Sequence, residues 1–448
     1  MNIQHLLHPQ LRIEQLTTQQ NQSWCFYGEN NSGINTFLQL LEGRLTDVKA
    51  TILELDQNPG ILSFRAQQEL FEEELRNDDS DFLDRMDPGT TVAEYLGSLE
   101  KATILLKIFN LEPHLSTGLR HLSSGQNRKL VILREVIRGT QTIVLQNPFD
   151  GLDVDSCTDL NKVLEQLASE GIHIITLVNS VHDIPTWCSH IGTFISSCLV
   201  ETGSRESVIE IISSATVAPQ PKTVAPFVKN IETDTSTGRS DELIRLRKGF
   251  AGYGSKPLFE KLDLTVNKGD HTLIYGQNGC GKSTLLDILT GDNPKCYAND
   301  LRLFGKQRGG GETIWQLKQQ MGIISPSLHR DHRVPGTALH VVLSGLFDSI
   351  GLYEKVSTVQ IQEAKRWLNW LELEHAAGSP FRQLEFSDQR LILIGRALIK
   401  RPQLLIFDEA TQGLDDKNRY KLLNLLELIA AEKLSTILFV SHRADEYR

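Results

Sequence analysis

The sequence lacks long apolar runs, clusters of basic residues and paired cysteines. No stretch among its 448 residues approaches the roughly twenty apolar positions that a membrane-spanning helix needs. The first residues, MNIQHLLHPQ, also lack the basic flank and long apolar core of a secretory signal. We therefore expect a cytoplasmic protein that reaches a membrane only through a partner.

The six cysteines form no C-x-x-C pair, and no histidine cluster has the spacing of a zinc site. This pattern favours reduced thiols over a disulfide framework or a structural metal. The net charge is −10, and no Lys/Arg-rich block interrupts the acidic balance. Such a balance argues against nucleic-acid binding through a basic surface.

An internal repeat is the strongest organisational feature. The segment LSSGQ begins at Leu122 and LEFSD begins at Leu384, while Gln146 and Asp408 follow matching apolar strands. Both pairs are 262 residues apart. A constant spacing over two motifs indicates two related halves.

The segment 213–242 lies between the halves and is rich in Pro, Ser and Thr. It has no helical or strand period, so we predict an extended linker. The predicted domains are residues 1–212, with degraded motifs, and residues 243–448, with intact ones.

Each half alternates short apolar runs with amphipathic helical segments, which predicts an α/β fold with a mainly parallel sheet flanked by helices. The middle of each half is mostly helical, and ligands of such sheets bind at the carboxyl ends of the strands. The strongest predicted strands are 142–145 and 172–178 in the first half, and 404–407 and 436–440 in the second.

A phosphate-binding loop, GQNGCGKST, follows the apolar segment HTLIY and precedes a helical segment. Glycines let successive backbone N–H groups turn inward around phosphate oxygens, and the helix N-terminus adds its positive dipole. Lys282 is expected to reach the β- and γ-phosphates of ATP, and the Ser283 hydroxyl to bind Mg²⁺. The loop residues are Gly276, Gln277, Asn278, Gly279, Cys280, Gly281, Lys282, Ser283 and Thr284.

Two adjacent carboxylates, Asp408 and Glu409, end the apolar strand LLIF. Because such groups are costly beside a buried strand, we assign Asp408 to Mg²⁺ and Glu409 to activation of the attacking water. His442 follows the next strand and is expected to contact the γ-phosphate. Tyr253 is a candidate to stack on the adenine ring.

The first half has lost these side chains. Its loop, GENNSGINT, carries Ile34 in place of the lysine and Asn35 in place of the metal-binding hydroxyl. The acidic pair is replaced by Gln146 and Asn147, and Ser180 stands where the histidine is expected. Since each charge-assisted hydrogen bond contributes about 1.5–3 kcal/mol, these losses together should abolish turnover there.

The order of phosphate loop, signature segment, acidic strand end and histidine, present twice, resembles the ATP-binding-cassette (ABC) ATPases over nearly the whole chain. The resemblance implies that each signature segment faces the phosphate loop of the opposite domain, so that two head-to-tail domains form two composite sites. The signature of the first half then serves the second-half loop through Ser123, Ser124, Gly125 and Gln126.

The second-half signature is altered to Glu385 and Ser387. A carboxylate about 4 Å from a phosphate charge is repelled by roughly 4 kcal/mol at an effective dielectric near 20. All suitable residues therefore fall in one composite site and all unsuitable ones in the other. This sorting favours closure of the two halves on each other within one chain over a homodimer. It also predicts one competent ATP and Mg²⁺ site in an ATPase.

The family's glutamine-bearing loop is also changed. Here the strand GIIS leads to Pro326 and Ser327, and proline offers no hydrogen-bond donor. Slow hydrolysis is therefore expected. In the first half, Gln67 or Gln68 marks the corresponding loop.

Three second-half segments are similar to tandem cassettes of bacterial molybdate transport: Cys296–Trp315, Ser325–Val334 and Leu343–Tyr353. The segment FDGLDV in the first half is compatible with them. The resemblance implies a cytoplasmic ATPase subunit that docks on a separate permease at the inner face of the membrane. Two alternatives stay open: a soluble ATP-dependent regulatory switch, and a ribosome- or nucleic-acid-acting tandem cassette.

Overall fold

The computed structural model describes most of the chain, in two compact units. The described residues are 1–76, 89–97, 102–122, 124–215, 241–253, 256–441, 443 and 446. The first unit consists of the described residues up to 215 together with Asp415–Lys417, and the second of the remaining described residues after 240.

The first unit combines strands and helices in an alternating order. Its strands are β1 (Asn2–His8), β2 (Leu11–Thr17), β3 (Trp24–Gly28), β4 (Ile52–Glu54), β5 (Gly60–Leu62), β6 (Thr142–Gln146), β7 (His173–Val178), β8 (His190–Ile195) and β9 (Cys198–Ser204). Its α-helices are α1 (Ile34–Leu41), α2 (Phe64–Arg76), α3 (Val92–Leu96), α4 (Thr103–Ile108), α5 (Ser124–Ile137), α6 (Val154–Ser169) and α7 (Arg205–Ala215).

The strands of the first unit form one nine-stranded sheet in the order β4-β1-β2-β9-β8-β3-β7-β6-β5. The run β8-β3-β7-β6-β5 is parallel, and β1 pairs antiparallel with β2 and β4. All six residues of β7 are buried, whereas β2 alternates buried and exposed positions. This difference follows from having both faces covered in the parallel part and one face solvated in the antiparallel part.

The second unit repeats the same alternation. Its strands are β10 (Glu242–Tyr253), β11 (Lys256–Asn267), β12 (Thr272–Ile274), β13 (Asp300–Leu303), β14 (Lys306–Gln307), β15 (Met321–Ile324), β16 (Leu404–Asp408) and β17 (Thr436–Val440). Its α-helices are α8 (Lys282–Thr290), α9 (Ile314–Lys318), α10 (Pro326–Asp331), α11 (Ala338–Ser344), α12 (Thr358–Trp370), α13 (Phe386–Leu398) and α14 (Asp416–Ala431).

The described strands of the second unit form two four-stranded sheets. The parallel sheet has the order β12-β17-β16-β15, and the antiparallel sheet has the order β11-β10-β13-β14. Every residue of β16 and β17 is buried. The predicted α/β fold is thus confirmed, while the antiparallel sheet is an addition that continuous apolar runs could not reveal.

A mainly helical region lies between the phosphate loop and the acidic strand end of the second unit. Helices α11, α12 and α13 pack around a core that includes Val342, Trp367 and Leu391, each at most 4% exposed. Ser357 caps α12 through a reciprocal capping box with Gln360. This region places the start of α13 beside the carboxyl ends of the parallel strands, through bonds described below.

The segment predicted as a linker lies mostly outside the described residues. Helix α7 continues to Ala215, so positions 213–215 end a helix rather than begin an extended segment, and β10 begins at Glu242. Residues 216–240 are not among those described.

Candidate ATP site of the second unit

The phosphate loop of the second unit connects β12 to α8. Gly279 and Gly281 have φ angles of 79° and 98°, in the left-handed region that favours glycine. Gly281 is the N-cap of α8, and the first turn of this helix carries no acidic residue. The loop therefore presents its backbone at a helix N-terminus that favours a negatively charged ligand.

Lys282 begins α8 and is 9% exposed. Its ammonium donates to the carbonyl oxygen of Gly276 at 2.8 Å and to that of Gln277 at 2.6 Å. Cys280 Sγ lies 3.9 Å from the same nitrogen. These contacts hold the positive charge inside the curve of the loop, as binding of phosphate oxygens requires.

The two predicted metal ligands lie together. Ser283 Oγ donates to Asp408 Oδ2 at 3.3 Å, which joins the start of α8 to the end of β16. Asp408 is 6% exposed. Burial raises the pKa of its carboxyl to about 6, and the neighbouring charge of Glu409 contributes to the rise. A hydroxyl and a carboxylate are oxygen ligands of the kind that Mg²⁺ prefers, so the pair fits that ion.

Glu409 occupies a tight turn after β16. Its φ angle is 47°, and its N–H donates to the carbonyl oxygen of Val440 at 3.1 Å. Left-handed backbone costs a residue other than glycine on the order of 1–3 kcal/mol, so it persists where the surroundings impose it. The turn places the Glu409 side chain next to Asp408 at the carboxyl edge of the sheet.

The structure describes only some of the other predicted site residues. Gly276, Gln277, Asn278, Gly279 and Thr284 lie in the loop or at the start of α8, as the sequence predicts. His442 and Ser123 lie outside the described residues, and the side chains of Tyr253 and Ser124 are not described. Gly125 and Gln126 lie in the first turn of α5, where the Gln126 amide is 2.9 Å from His114 Nε2.

Where the family has its glutamine-bearing loop, the segment after β15 forms a short helix, α10. Ser325 is the N-cap of α10, its hydroxyl accepts the N–H of Leu328 at 3.1 Å, and Pro326 occupies the first turn. Serine followed by proline is a helix-start pattern, because proline has no N–H to leave unsatisfied there. The Ser327 side chain is not described.

In the first unit, the phosphate loop keeps its backbone but not its chemistry. Asn31 and Gly33 have φ angles of 62° and 100°, close to those of Gly279 and Gly281. Ile34 stands at the lysine position, is 5% exposed and belongs to an apolar core. An apolar side chain cannot replace an ammonium as a ligand for phosphate.

In the first unit, neutral amides occupy the positions equivalent to the predicted metal ligands of the second unit. Gln146 Nε2 donates to Asn35 Oδ1 at 3.2 Å, and Gln146 Oε1 accepts the N–H of Phe64 at 3.0 Å. Asn147 keeps the left-handed turn, with a φ of 42° and an N–H bonded to the Leu177 carbonyl at 2.8 Å. Gln67 and Gln68, predicted to mark the glutamine loop of the first half, lie instead in helix α2, which begins at Phe64.

Sequence reasoning did not single out Arg390. This residue is fully buried in α13, and it donates to the carbonyl oxygens of Ser325 at 3.2 Å and Glu409 at 2.9 Å. The available signal was a single arginine at the head of the apolar run LILIG, a position where burial of a charge calls for specific partners.

Comparisons with known proteins identify the family. A family model described as ABC transporter matches residues 259–412. The Escherichia coli (strain K12) protein named ABC transporter ATP-binding protein ModF is 36% identical over 448 residues, covering 97% of this chain and 91% of that protein. The chain belongs to the ABC transporter ATP-binding proteins. Within them it is similar to ModF along nearly its whole length.

Two further comparisons describe the breadth of this likeness. The Haemophilus influenzae protein named Molybdate import ATP-binding protein MolC is 31% identical over 44% of this chain and 72% of that protein. A solved structure entitled Model of ribosome-bound archaeal Pelota and ABCE1 has a TM-score of 0.64 at 18% identity, covering 98% of this chain and 73% of that chain. The second likeness shows the fold of a tandem ABC protein.

Among the described residues, no helix combines the length and apolar character needed to cross a bilayer.

Proposed function

We propose that the chain is the ATP-binding and ATP-hydrolysing subunit of an ABC system and that one site carries all of its turnover. The contrast between two hydrogen bonds supports this proposal. Ser283 donates to the carboxylate of Asp408, whereas at the equivalent positions Gln146 donates to Asn35. Only the first pair offers an anionic oxygen to a cation.

The second-unit residues then have distinct roles. Lys282 binds the β- and γ-phosphates, Ser283 and Asp408 hold Mg²⁺, and Glu409 takes a proton from the attacking water. When bound, Mg²⁺ neutralises phosphate charge. We further assign His442 to the γ-phosphate and Tyr253 to the adenine ring.

The site is completed, in this proposal, by the first-half signature. We assign residues 1–212 to a degenerate cassette and 243–448 to the competent one, joined by 213–242. Ser123, Ser124, Gly125 and Gln126 keep the small and polar side chains suited to a γ-phosphate, whereas Glu385 adds a repelling carboxylate to the other signature.

This pairing is tested by a matched pair of alanine variants. Ser123→Ala should lower ATP turnover about tenfold or more, because it removes a hydroxyl donor to the γ-phosphate. Glu385→Ala, at the equivalent position of the other signature, should leave turnover within about twofold. A loss in Glu385→Ala with no loss in Ser123→Ala would assign the working site to the opposite pairing.

We also propose that this activity serves molybdate uptake through a permease on the cytoplasmic face of the membrane. The three second-half segments and the similarity to MolC support the substrate. Bacterial cells that lack the gene should hold less molybdenum when molybdate is limiting, and the Glu409→Gln variant should fail to restore it. Normal molybdenum content in cells without the gene would contradict a transport role.

A regulatory switch is the second candidate, and α10 favours it. Helix α10 stands where the family places a glutamine. The Ser325 hydroxyl accepts a backbone N–H of this helix, so it is engaged in capping the helix. A chain that binds ATP without turning it over would support the switch.

The ribosome-acting alternative rests on a likeness of fold alone, and the net charge of −10 opposes binding to a polyanion.

A further inference from the structure

Arg390 connects two segments that border the proposed site. Its guanidinium is fully buried, and its two terminal nitrogens donate to different backbone carbonyls. One carbonyl belongs to Ser325, which caps α10, and the other to Glu409, in the turn after β16. A planar guanidinium suits this task because it fixes two acceptors at one geometry, which a lysine ammonium on a flexible stem does not.

The Glu409 turn depends on such bonds. Its left-handed φ of 47° is held by the bond from its N–H to the Val440 carbonyl at 3.1 Å and by bonds to its own carbonyl. That carbonyl accepts from Gln412 N at 3.2 Å and from Arg390 at 2.9 Å. A shift of the carbonyl rotates the adjacent peptide and therefore redirects the Glu409 side chain.

Helix α10 also contacts α13, the helix that carries Arg390, through a second residue. His329 Nε2 lies 2.9 Å from Gln389 Oε1, and its ring stacks on Phe386 at 4.5 Å between centroids. Gln389 and Phe386 belong to α13, as Arg390 does. Any displacement of α10 is therefore transmitted to the helix that carries Arg390.

The other side of α10 borders a large cavity. Ser325 and Leu328, together with Trp315, Lys318, Asp348 and Lys400, line a cavity of about 730 Å³ in the second unit. Ser325 thus contacts the cavity and Arg390 at once. Ser325 therefore connects the lining of this cavity to Arg390.

The first unit offers a natural comparison. Arg128 stands at the equivalent position of α5 and is 3% exposed. It donates to the carbonyl of Pro148 at 2.6 Å, one residue beyond Asn147. In the second unit the bond goes instead to the residue assigned as the base. Relative to the turn, the acceptors of these two bonds are therefore one position apart.

We propose that Arg390 is a positioning residue that sets the orientation of Glu409 and makes it depend on the position of α10. This inference rests on the proposed role of Glu409 in hydrolysis. Arg390 does not touch the reacting atoms, so it acts on the rate of the chemical step and not on nucleotide affinity.

The test compares Arg390→Lys with Arg128→Lys in the full chain. Arg390→Lys should lower kcat for MgATP about ten- to hundredfold while its KM and the Kd for ATP stay within about twofold. Arg128→Lys should keep kcat within about twofold. A purely structural role would instead lower the fraction of active protein and the melting temperature in both variants, without this separation of kcat from Kd.

A second variant keeps the inference testable if Arg390→Lys does not fold. Gln389→Leu removes the bond to His329 and leaves Arg390 in place, so kcat should fall several-fold with unchanged ATP affinity. Wild-type kcat in both second-unit variants, or equal losses in Arg390→Lys and Arg128→Lys, would overturn the inference.

Glu409→Gln belongs in the same assay, because it separates the two possible failures. If Glu409→Gln abolishes turnover while Arg390→Lys and Gln389→Leu do not change it, the positioning role alone is wrong. If Glu409→Gln keeps full turnover, the role of Glu409 fails, and the role of Arg390 fails with it.

Discussion

At the scale of single residues, the two halves differ in charge at positions that share a backbone. The φ angles of Asn147 and Glu409 are 42° and 47°, and each N–H bonds to the last residues of a neighbouring parallel strand. The turn therefore survives without the carboxylate. At the preceding position the second unit buries a carboxylate, Asp408, which is 6% exposed, where the first unit has the neutral amide of Gln146.

Asp408→Asn should stabilise the metal-free protein at neutral pH. Burial raises the Asp408 pKa from 3.8 to about 6, so the folded state binds the proton more tightly than the unfolded state. The stability of the wild type therefore falls relative to the variant as pH rises from about 4 through 6, by on the order of 2–3 kcal/mol.

Urea unfolding in EDTA at pH 4 and pH 7.5 measures this difference. His329 and His332 have pKa values lowered to about 3 and about 4, chiefly by burial, and they destabilise both proteins equally in acid. The contributions of these two histidines therefore cancel in the difference in unfolding free energy between wild type and variant. A variant that is no more stable than wild type at pH 7.5 would contradict the raised pKa.

Gln146→Ala should destabilise the first unit by about 1–3 kcal/mol. It removes the acceptor of the Phe64 N–H and the donor to Asn35 from a partly buried site. Thermal unfolding measures the change, and Gln141→Ala, an exposed glutamine five residues earlier, is the control. Equal melting temperatures for both variants would show that the amide pair contributes nothing.

At the scale of elements, the sequence was informative where a strand is fully buried. The predicted strand 436–440 matches β17, and the loop motif lies between β12 and α8 as its spacing requires. Helix α10 was missed because six residues form little helical period, although Ser325 and Pro326 are a helix-start pattern. The bonds of Arg390 were not predictable, since its acceptors are backbone carbonyls that lie 65 and 19 residues away along the chain.

Loss of the α10 cap should affect turnover more than stability. Ser325→Ala and Ser357→Ala each remove a hydroxyl that accepts a backbone N–H at a helix start, so each should cost about 1 kcal/mol. Only Ser325 lies beside Arg390. We expect Ser325→Ala to lower kcat several-fold and Ser357→Ala to leave it unchanged in a steady-state ATPase assay. Equal kcat values for the two variants would show that the α10 cap has no effect on the turn that carries Glu409.

At the scale of the whole molecule, the chain is a tandem ABC protein whose two units share the loop backbone and differ in the side chains at the phosphate loop and the acidic strand end. The first unit has the same loop backbone, a run of parallel strands and a buried arginine, because packing maintains these features. Packing does not constrain the side chains at the positions that would bind phosphate and metal. Such a division is expected where one unit supports the site of the other, as we propose.

Steady-state hydrolysis of MgATP by the purified chain, beside Glu409→Gln and Asn147→Asp, tests this account most directly. The two variants alter equivalent positions, and Asn147→Asp keeps the acceptor that bonds the Asn179 N–H at 3.1 Å. We predict a measurable wild-type rate, a loss of about a hundredfold or more in Glu409→Gln, and no change in Asn147→Asp. Full turnover in Glu409→Gln, or ATP binding with no turnover in the wild type, would contradict a single hydrolytic site in the second unit.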